Sequence, residues 1–436
     1  MNNTQKSILV FCSLIIIFSY FFGYYFNENS IGSGGYKGDL CWIWKNYEIF
    51  RNKNFMDAIK DESFFGNRTQ LLYIINFYLN PFIDDIDNYR LSIALFSILA
   101  PIIFYLCLLN RFKKTNHIFL LLISLLILMS PFYRTSAFWG MEIQYGIISA
   151  LLAIYFFSKK EDFGNISSID LFLSVLFSAC TVYFDLKLIF IPIYIYLKII
   201  FSNLSINKKI FSSIIYFILA IPFVVLIFLW GGLVPTSTQI ANPLQGTHLI
   251  TKLHFVNILF ATNIIGFYMF PLLIFKKNIL KSFKIMINPI NIIIFILFLF
   301  YVVCFLYFEL YDFTDKFSKV EGGYKDYYGL GYSYKLSNLL FENRTYSLIF
   351  NIVIFFLSVI IILLVVGSHL INKIILLFYY LLSIVLFPLM QEYFDPYIFL
   401  TGILLFKNNY DFNFKNCSFV FLFFSIFLAS SIYYYQ

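Results

Sequence analysis

Apolar runs of about 20 residues recur from one end of this chain to the other, and they constrain its fold more than any other feature. A run of that length is what a transmembrane helix needs to cross the hydrocarbon core of a bilayer. Of the 436 residues, 61% are hydrophobic and 12% are charged, whereas a soluble domain has roughly 25% charged residues. We therefore expect an all-α, polytopic membrane protein with about thirteen transmembrane helices, near residues 8–25, 91–110, 117–133, 141–158, 168–184, 186–201, 210–231, 255–275, 286–308, 346–367, 370–389, 391–406 and 416–434.

Basic residues divide the loops between these runs into two alternating groups. The short outer loops contain only Arg134, Lys187 and Lys252 if the N-terminus is cytoplasmic. Because Lys and Arg accumulate in cytoplasmic loops, this bias predicts a multi-pass protein of the cytoplasmic (inner) membrane with a cytoplasmic N-terminus. The cytoplasmic set is then Arg111, Lys113, Lys114, Lys159, Lys160, Lys198, Lys208, Lys209, Lys276, Lys277, Lys281, Lys284, Lys373, Lys407 and Lys415.

The net charge of +8 does not indicate nucleic-acid binding, because these residues are spread between apolar runs and form no single basic face. We expect membrane lipid as a partner and no nucleic acid.

Two long outer segments organise the chain into two regions. Residues 1–231 would form a seven-span module that includes the outer loop 26–90, and residues 232–436 would form a C-terminal transmembrane region with the outer loop 309–345. In the first loop, apolar and charged residues alternate at helical spacing from Trp42 to Ile59. That pattern predicts interfacial helices, which lie in the plane of the membrane surface.

Acidic residues are concentrated on the predicted outer side. Of the 23 Asp and Glu residues, only Glu161, Asp162, Asp170 and Asp411 fall on the cytoplasmic side. Ionisable groups close to the membrane are costly and usually mark functional sites. We therefore expect a site that faces outward.

Asp39 follows the first predicted span closely and has two interpretations. It could cap the N-terminus of the amphipathic helix, where Asp is strongly favoured. It could also act as a general base for a hydroxyl nucleophile at the boundary between water and lipid. The two roles are compatible.

Two further residues on the predicted outer side each have a structural and a functional interpretation. Arg68 is either an interfacial arginine or the bidentate cation that a phosphate needs. Glu142 starts the fourth predicted span, where a carboxylate complements the helix dipole or takes part in a site.

Near the C-terminus, Gln391-Glu392-Tyr393-Phe394-Asp395-Pro396 interrupts two apolar runs. Pro396 suits the first turn of a helix, and Asp395 is then its expected N-cap. Glu392 has no such structural explanation and is a candidate site residue.

The chain contains no HExxH, paired CxxC, phosphate-binding P-loop or GxSxG motif, which disfavours an ATP-driven pump and a zinc protease. The six cysteines have no metal-ligand spacing. We expect no cofactor, with a divalent metal left open.

The order of these motifs resembles the GT-C superfamily of membrane glycosyltransferases, in its protein O-mannosyltransferase and aminoarabinose-transferase-like branch. The likeness covers roughly residues 8–230. It rests on Asp39, Arg68-Thr69-Gln70-Leu71-Leu72-Tyr73, Tyr89-Arg90-Leu91-Ser92, Ser130-Pro131 and Glu142, in that order. Two departures are Thr69-Gln70 in place of a double proline, and Gln391-Glu392 where a cation is expected.

The resemblance implies an enzyme, a glycosyltransferase that moves a sugar from a polyprenyl-phosphate donor to an acceptor hydroxyl on a glycan, lipid or protein. Asp39 would be the catalytic base, and Glu142 would bind a sugar hydroxyl, orient the acceptor or bind a metal. The lipid phosphate and substrate would be held by Arg68, Tyr73, Arg90, His248, Lys252 and Glu392. Alternatives are an O-antigen or capsule polymerase-type protein, and a flippase or permease for lipid-linked sugars.

Overall fold

The computed structural model describes residues 2–30, 35–66, 69–159, 166–232, 235–237, 253–277, 288–308, 331–386 and 389–435. This part of the chain is almost entirely helical. Within it the only β pairing is an isolated antiparallel bridge between Lys276 and Tyr410. The all-α prediction is confirmed for these residues.

The chain divides into two compact units. The first unit comprises Met1–Thr251 with Phe421–Gln436, and the second comprises Lys252–Val420. Helices of the first unit are α1 Asn3–Tyr25, α2 Gly35–Asn52, α3 Phe55–Ile59, α4 Leu71–Leu79, α5 Ile86–Ser97, α6 Leu99–Arg111, α7 His117–Leu125, α8 Pro131–Phe138, α9 Ile143–Ser158, α10 Ser168–Phe184, α11 Phe190–Ile200 and α12 Ile206–Trp230.

The second unit has fewer helices in the described residues. They are α13 Asn257–Phe275, α14 Pro289–Phe308, α15 Gly331–Leu340, α16 Arg344–Val366, α17 Leu370–Val385 and α18 Tyr397–Leu404. The last helix, α19 Phe414–Tyr435, contributes to both units.

Six helices in the described part of the chain are long and apolar enough to cross a membrane, or seven if the bent pair of α7 and α8 counts as one. This indicates a membrane protein. Thirteen spans are not confirmed, although each predicted span overlaps a helix. Several of those helices are short: α9, for example, has 16 residues and α18 has 8, below the roughly 17–25 residues that a span requires.

The bend between α7 and α8 has a local cause. A 3-10 turn, Leu126–Met129, ends at Ser130, and α8 then starts at an angle of 63°. Proline disfavours a helical conformation in the residue before it but suits a first helical position. Ser130 accordingly adopts extended backbone angles, and its side chain caps α8 by accepting from the Tyr133 amide at 3.1 Å.

Every residue of α8 is buried. A short helix after a sharp bend thus lies inside the first unit, where its polar residues must find protein partners.

The segment 40–80 is divided among three helices, α2, α3 and α4, and is not one continuous helix. Leu40, Ile43, Tyr47 and Phe50 are buried along one face of α2, at the three- and four-residue spacing of an amphipathic helix. That face packs on α4. The expectation of short helices in this loop is confirmed, and their position at the membrane surface stays a prediction.

Candidate functional site

Asp39 does not cap α2. The helix begins at Gly35, so Asp39 lies beyond the first turn, and its side chain is exposed. The capping interpretation was therefore wrong, while the catalytic one stays a prediction. Asp39 lies seven residues before Asn46, which places both on the same side of α2.

Asn46 connects the helices of the first loop. Its Nδ2 donates to the Tyr73 hydroxyl at 3.0 Å and to the Phe65 carbonyl at 2.6 Å. Tyr73 is buried, and its ring contacts Tyr47 and Phe64 edge-on, with centroids 5.0 and 5.1 Å apart. These contacts hold α2 against α4, so the structure gives Tyr73 a packing role, and its predicted substrate contact stays untested.

Glu28, at the start of the first loop, forms a buried ion pair with Arg134 of α8. The Arg134 Nη2 donates to Glu28 Oε2 at 2.6 Å. Arg134 is 1% exposed and Glu28 is 5% exposed. The same nitrogen donates to the Ser19 carbonyl at 2.7 Å. The Trp139 indole donates to the Glu28 carbonyl at 3.2 Å. The pair therefore joins the end of α1 to α8.

Burial raises the pKa of Glu28, and the positive charge of Arg134 opposes that shift. A carboxylate in such surroundings is costly without a cation, because desolvation of an isolated ion costs several kcal/mol. From the sequence alone, Arg134 is placed only in a short outer loop. Its pairing with Glu28, 106 residues earlier, was missed.

Two more contacts extend this attachment. The Ser30 and Thr135 hydroxyls lie 2.8 Å apart, and the Ser30 hydroxyl donates to the Pro131 carbonyl at 3.3 Å. The Arg90 Nη2 donates to Asn27 Oδ1 at 2.8 Å. We call the set of contacts made by Asn27, Glu28 and Ser30 with Arg90, Arg134 and Thr135 the loop clamp.

Arg90 is heavily engaged in the clamp. Its Nε donates to the Phe138 carbonyl at 2.9 Å, and its Nη1 lies 3.3 Å from Asp87. The guanidinium also stacks over the Trp139 ring, 4.1 Å from the centroid. The predicted role of Arg90 in phosphate binding is untested, and the contacts that the structure shows for Arg90 are structural.

Glu142 is buried and immediately precedes α9, with no capping hydrogen bond from its side chain. Its position still suits a carboxylate, because the N-terminal end of a helix carries partial positive charge. It lies near Tyr89, whose hydroxyl donates to the Gly140 carbonyl at 2.6 Å. Asp39 and Glu142 thus belong to one unit but differ in exposure.

Three of the predicted substrate-binding residues, Arg68, His248 and Lys252, lie outside the described residues. A second buried pair near α8 was not predicted as a site. Lys187 Nζ lies 3.4 Å from Asp185 and 5.3 Å from the centre of the Phe132 ring. Asp185 also accepts from the Lys187 amide at 3.1 Å, so its carboxylate stabilises the turn in which both residues lie.

Glu392, in the second unit, lies in the 3-10 turn Gln391–Tyr393 and is partly buried. Burial lowers the pKa of Lys335 to about 8, and the nearby charge of Glu392 acts in the opposite direction. Lys335, from α15, is therefore close enough to Glu392 for their charges to interact. It was missed because it belongs to the segment 309–345, which seemed to be only an outer loop.

Asp395 does not cap α18. That helix begins at Tyr397, and the residue before it is Pro396. Asp395 is buried and lies against the Tyr268 hydroxyl, so the expectation of a cap was wrong.

No group of three or more His, Cys, Asp or Glu side chains is placed to hold a metal ion among the residues described above. Comparison of the chain with protein-family models, curated proteins and solved structures found no match.

Proposed function

We propose that this protein is a membrane glycosyltransferase that uses a polyprenyl-phosphate sugar as donor, with its site at the outer membrane face. The observation that carries the proposal is the arrangement of the first loop. Asp39 is exposed inside α2, one face of α2 packs on α4, and the loop clamp fixes the start of the loop to α8.

This arrangement suits a general base. A catalytic carboxylate must be held in place yet reach a substrate hydroxyl. The packed face of α2 provides the first property, and the exposure of Asp39 provides the second. Asp39 lies inside α2 and does not cap it, so the capping role no longer competes with this one.

The reaction would proceed in one displacement. Asp39 accepts the proton of the acceptor hydroxyl, whose oxygen forms a bond to the anomeric carbon of the donor sugar. The bond from that carbon to the phosphate oxygen breaks, and the lipid phosphate leaves with the bonding electrons. The configuration at carbon inverts. Arg68, Lys252 and His248 are the proposed phosphate-binding groups, and Glu142 would orient a sugar hydroxyl.

One observation disfavours the polymerase alternative, which depends on outer arginines. In the described part of the first unit, Arg51 donates to the Ile83 carbonyl, Arg90 is engaged in the clamp and Arg134 is buried against Glu28. All three guanidinium groups contact other parts of the protein. They therefore fit a structural role better than a place along a substrate path.

The test is Asp39→Asn in cells that lack a native copy of the protein, with surface glycans analysed by mass spectrometry. Loss of the base should reduce transfer about 10²–10⁴-fold. Asp84→Asn is the matched control, because Asp84 is also an exposed aspartate of the first loop. Equal transfer by the Asp39 variant and the control, at equal protein level, would contradict the proposal.

A further inference from the structure

A chain of neutral polar side chains lies inside the second unit. Asn351 Nδ2, from α16, donates to the Ser337 hydroxyl of α15 at 2.8 Å, and the Ser337 and Ser347 hydroxyls lie 2.7 Å apart. Asn263, from α13, donates to the Asn351 carbonyl at 3.2 Å. We call this set, with Ser333 one turn before Ser337 on α15, the polar seam.

Two polar atoms of the seam lack a hydrogen-bond partner among the described residues. They are Asn263 Oδ1 and Ser333 Oγ. Asn263 is 2% exposed, so bulk water does not reach it. A buried polar atom is normally hydrogen-bonded, and leaving one without a partner is costly where water is absent. An acceptor and a hydroxyl in this state have capacity for hydrogen bonds to a polar ligand.

Partly exposed polar groups lie nearby, on the same helices and in the Gln391–Tyr393 turn. Gln391 Nε2 donates to the Tyr268 hydroxyl at 2.9 Å, and its Oε1 accepts from the Tyr332 amide at 2.6 Å. The Tyr332 ring packs on Phe267, with centroids 5.3 Å apart. Lys335 and Glu392 add one charge of each sign. A ligand could therefore meet donors, acceptors and an aromatic ring.

The charge balance selects the class of ligand. A phosphate needs an excess of positive charge, but Glu392 offsets Lys335, and Asp395 adds a second carboxyl beside Tyr268. A neutral molecule with many hydroxyl groups fits better, because each hydroxyl both donates and accepts.

We propose that the polar seam and the adjoining Lys335, Gln391 and Glu392 form a sugar-binding site in the second unit. The source of that sugar rests on the proposed function: it is the donor sugar or a residue of the acceptor glycan. The competing explanation is that the seam only joins neighbouring membrane helices, as Ser and Asn side chains do elsewhere.

The experiment uses the full-length chain in lipid nanodiscs. The probes are methyl glycosides of glucose, galactose, mannose, rhamnose and N-acetylglucosamine, and farnesyl phosphate with and without a linked hexose. Binding is measured by saturation-transfer NMR and by titration. We expect at least one sugar to bind, and Ser333→Ala and Asn263→Leu each to weaken binding about tenfold, the effect of one lost hydrogen bond.

Ser425→Ala is the matched control, since within the described part of the chain the Ser425 hydroxyl donates to the Phe421 carbonyl of its own helix, at 2.8 Å. Preference for a glycoside over the lipid-linked hexose would assign the site to the acceptor, and the reverse preference to the donor. Absence of binding across the panel, or binding unchanged in both seam variants, would overturn the proposal and favour a purely structural seam.

Failure of this proposal can be told apart from failure of the glycosyltransferase proposal. If transfer depends on Asp39 while the seam variants bind and transfer sugar normally, only the seam proposal falls. If sugars bind through the seam and transfer does not depend on Asp39, only the transferase proposal falls.

Discussion

The two units bury polar groups in opposite ways. In the first unit, the loop clamp contains a buried ion pair between Glu28 and Arg134, with further bonds from Arg134 to Ser19 and from Trp139 to Glu28. In the second unit, neutral amides and hydroxyls form the polar seam, and two of its atoms lack a partner among the described residues. The first arrangement stabilises the chain through paired charges, whereas the second uses neutral hydrogen-bonding groups, and each includes buried polar atoms without a partner among the described residues.

The largest expected effect comes from breaking the ion pair. Arg134→Met should destabilise the protein by about 3–5 kcal/mol, because it leaves Glu28 buried without its cation. The double variant Glu28→Leu/Arg134→Met should recover much of that loss, since no isolated charge remains. Thermal unfolding in detergent measures both, with Lys114→Met at an exposed site as the control. Purely additive losses would mean that the pair is not coupled.

A smaller effect is expected where helices of the second unit approach closely. A Cβ on Gly266, in α13, would lie 2.8 Å from the Ser358 Cα and closer still to its side chain. Gly266→Ala should therefore cost about 1–3 kcal/mol through overpacking. Gly38→Ala, in α2, is the matched control, because its Cβ would meet no atom within 4 Å, and alanine there should stabilise by about 0.5–1 kcal/mol. If Gly266→Ala and Gly38→Ala unfolded at the same temperature, close packing at Gly266 would be refuted.

The smallest effect is a pH dependence from Lys335. Since burial lowers its folded pKa to about 8, from an unfolded value of 10.5, the unfolded chain binds more protons between these two values. Stability should therefore rise with pH from about 8 to 10.5, and the lysine should be most destabilising below pH 8. The advantage of Lys335→Met in thermal unfolding should shrink across that window. If the stability advantage of Lys335→Met did not change with pH, the pKa of Lys335 would not be lowered, and its side chain would lie in water.

Local sequence patterns predicted the positions of helices but not their lengths. Every apolar run overlaps a helix, yet the bend at Ser130-Pro131 divides a run that hydropathy alone treats as continuous. The cap predicted at Asp39 was wrong because α2 starts at Gly35, in a glycine-rich stretch where helix propensity is low.

Partners that are far apart in the sequence could not be predicted from it. Glu28 and Arg134 are ordinary residues of two predicted outer loops, and they pair in a structure whose chain bends by 63° before α8. Lys335 and Glu392 likewise come from different segments of the second unit. Such pairing depends on tertiary packing, which neither periodicity nor spacing encodes.

The ion pair of the loop clamp also sets an order of events during synthesis. Glu28 is made 106 residues before Arg134, so at about 5–20 residues per second the carboxylate exists for roughly 5–20 seconds before its partner does. During that interval Glu28 has to remain in water or be held by the insertion machinery. The first helix can pack earlier on residues such as Ala94 and Ser97, but its ion pair forms only after α8 has emerged, and nascent chains that end before Arg134 should be early targets for degradation.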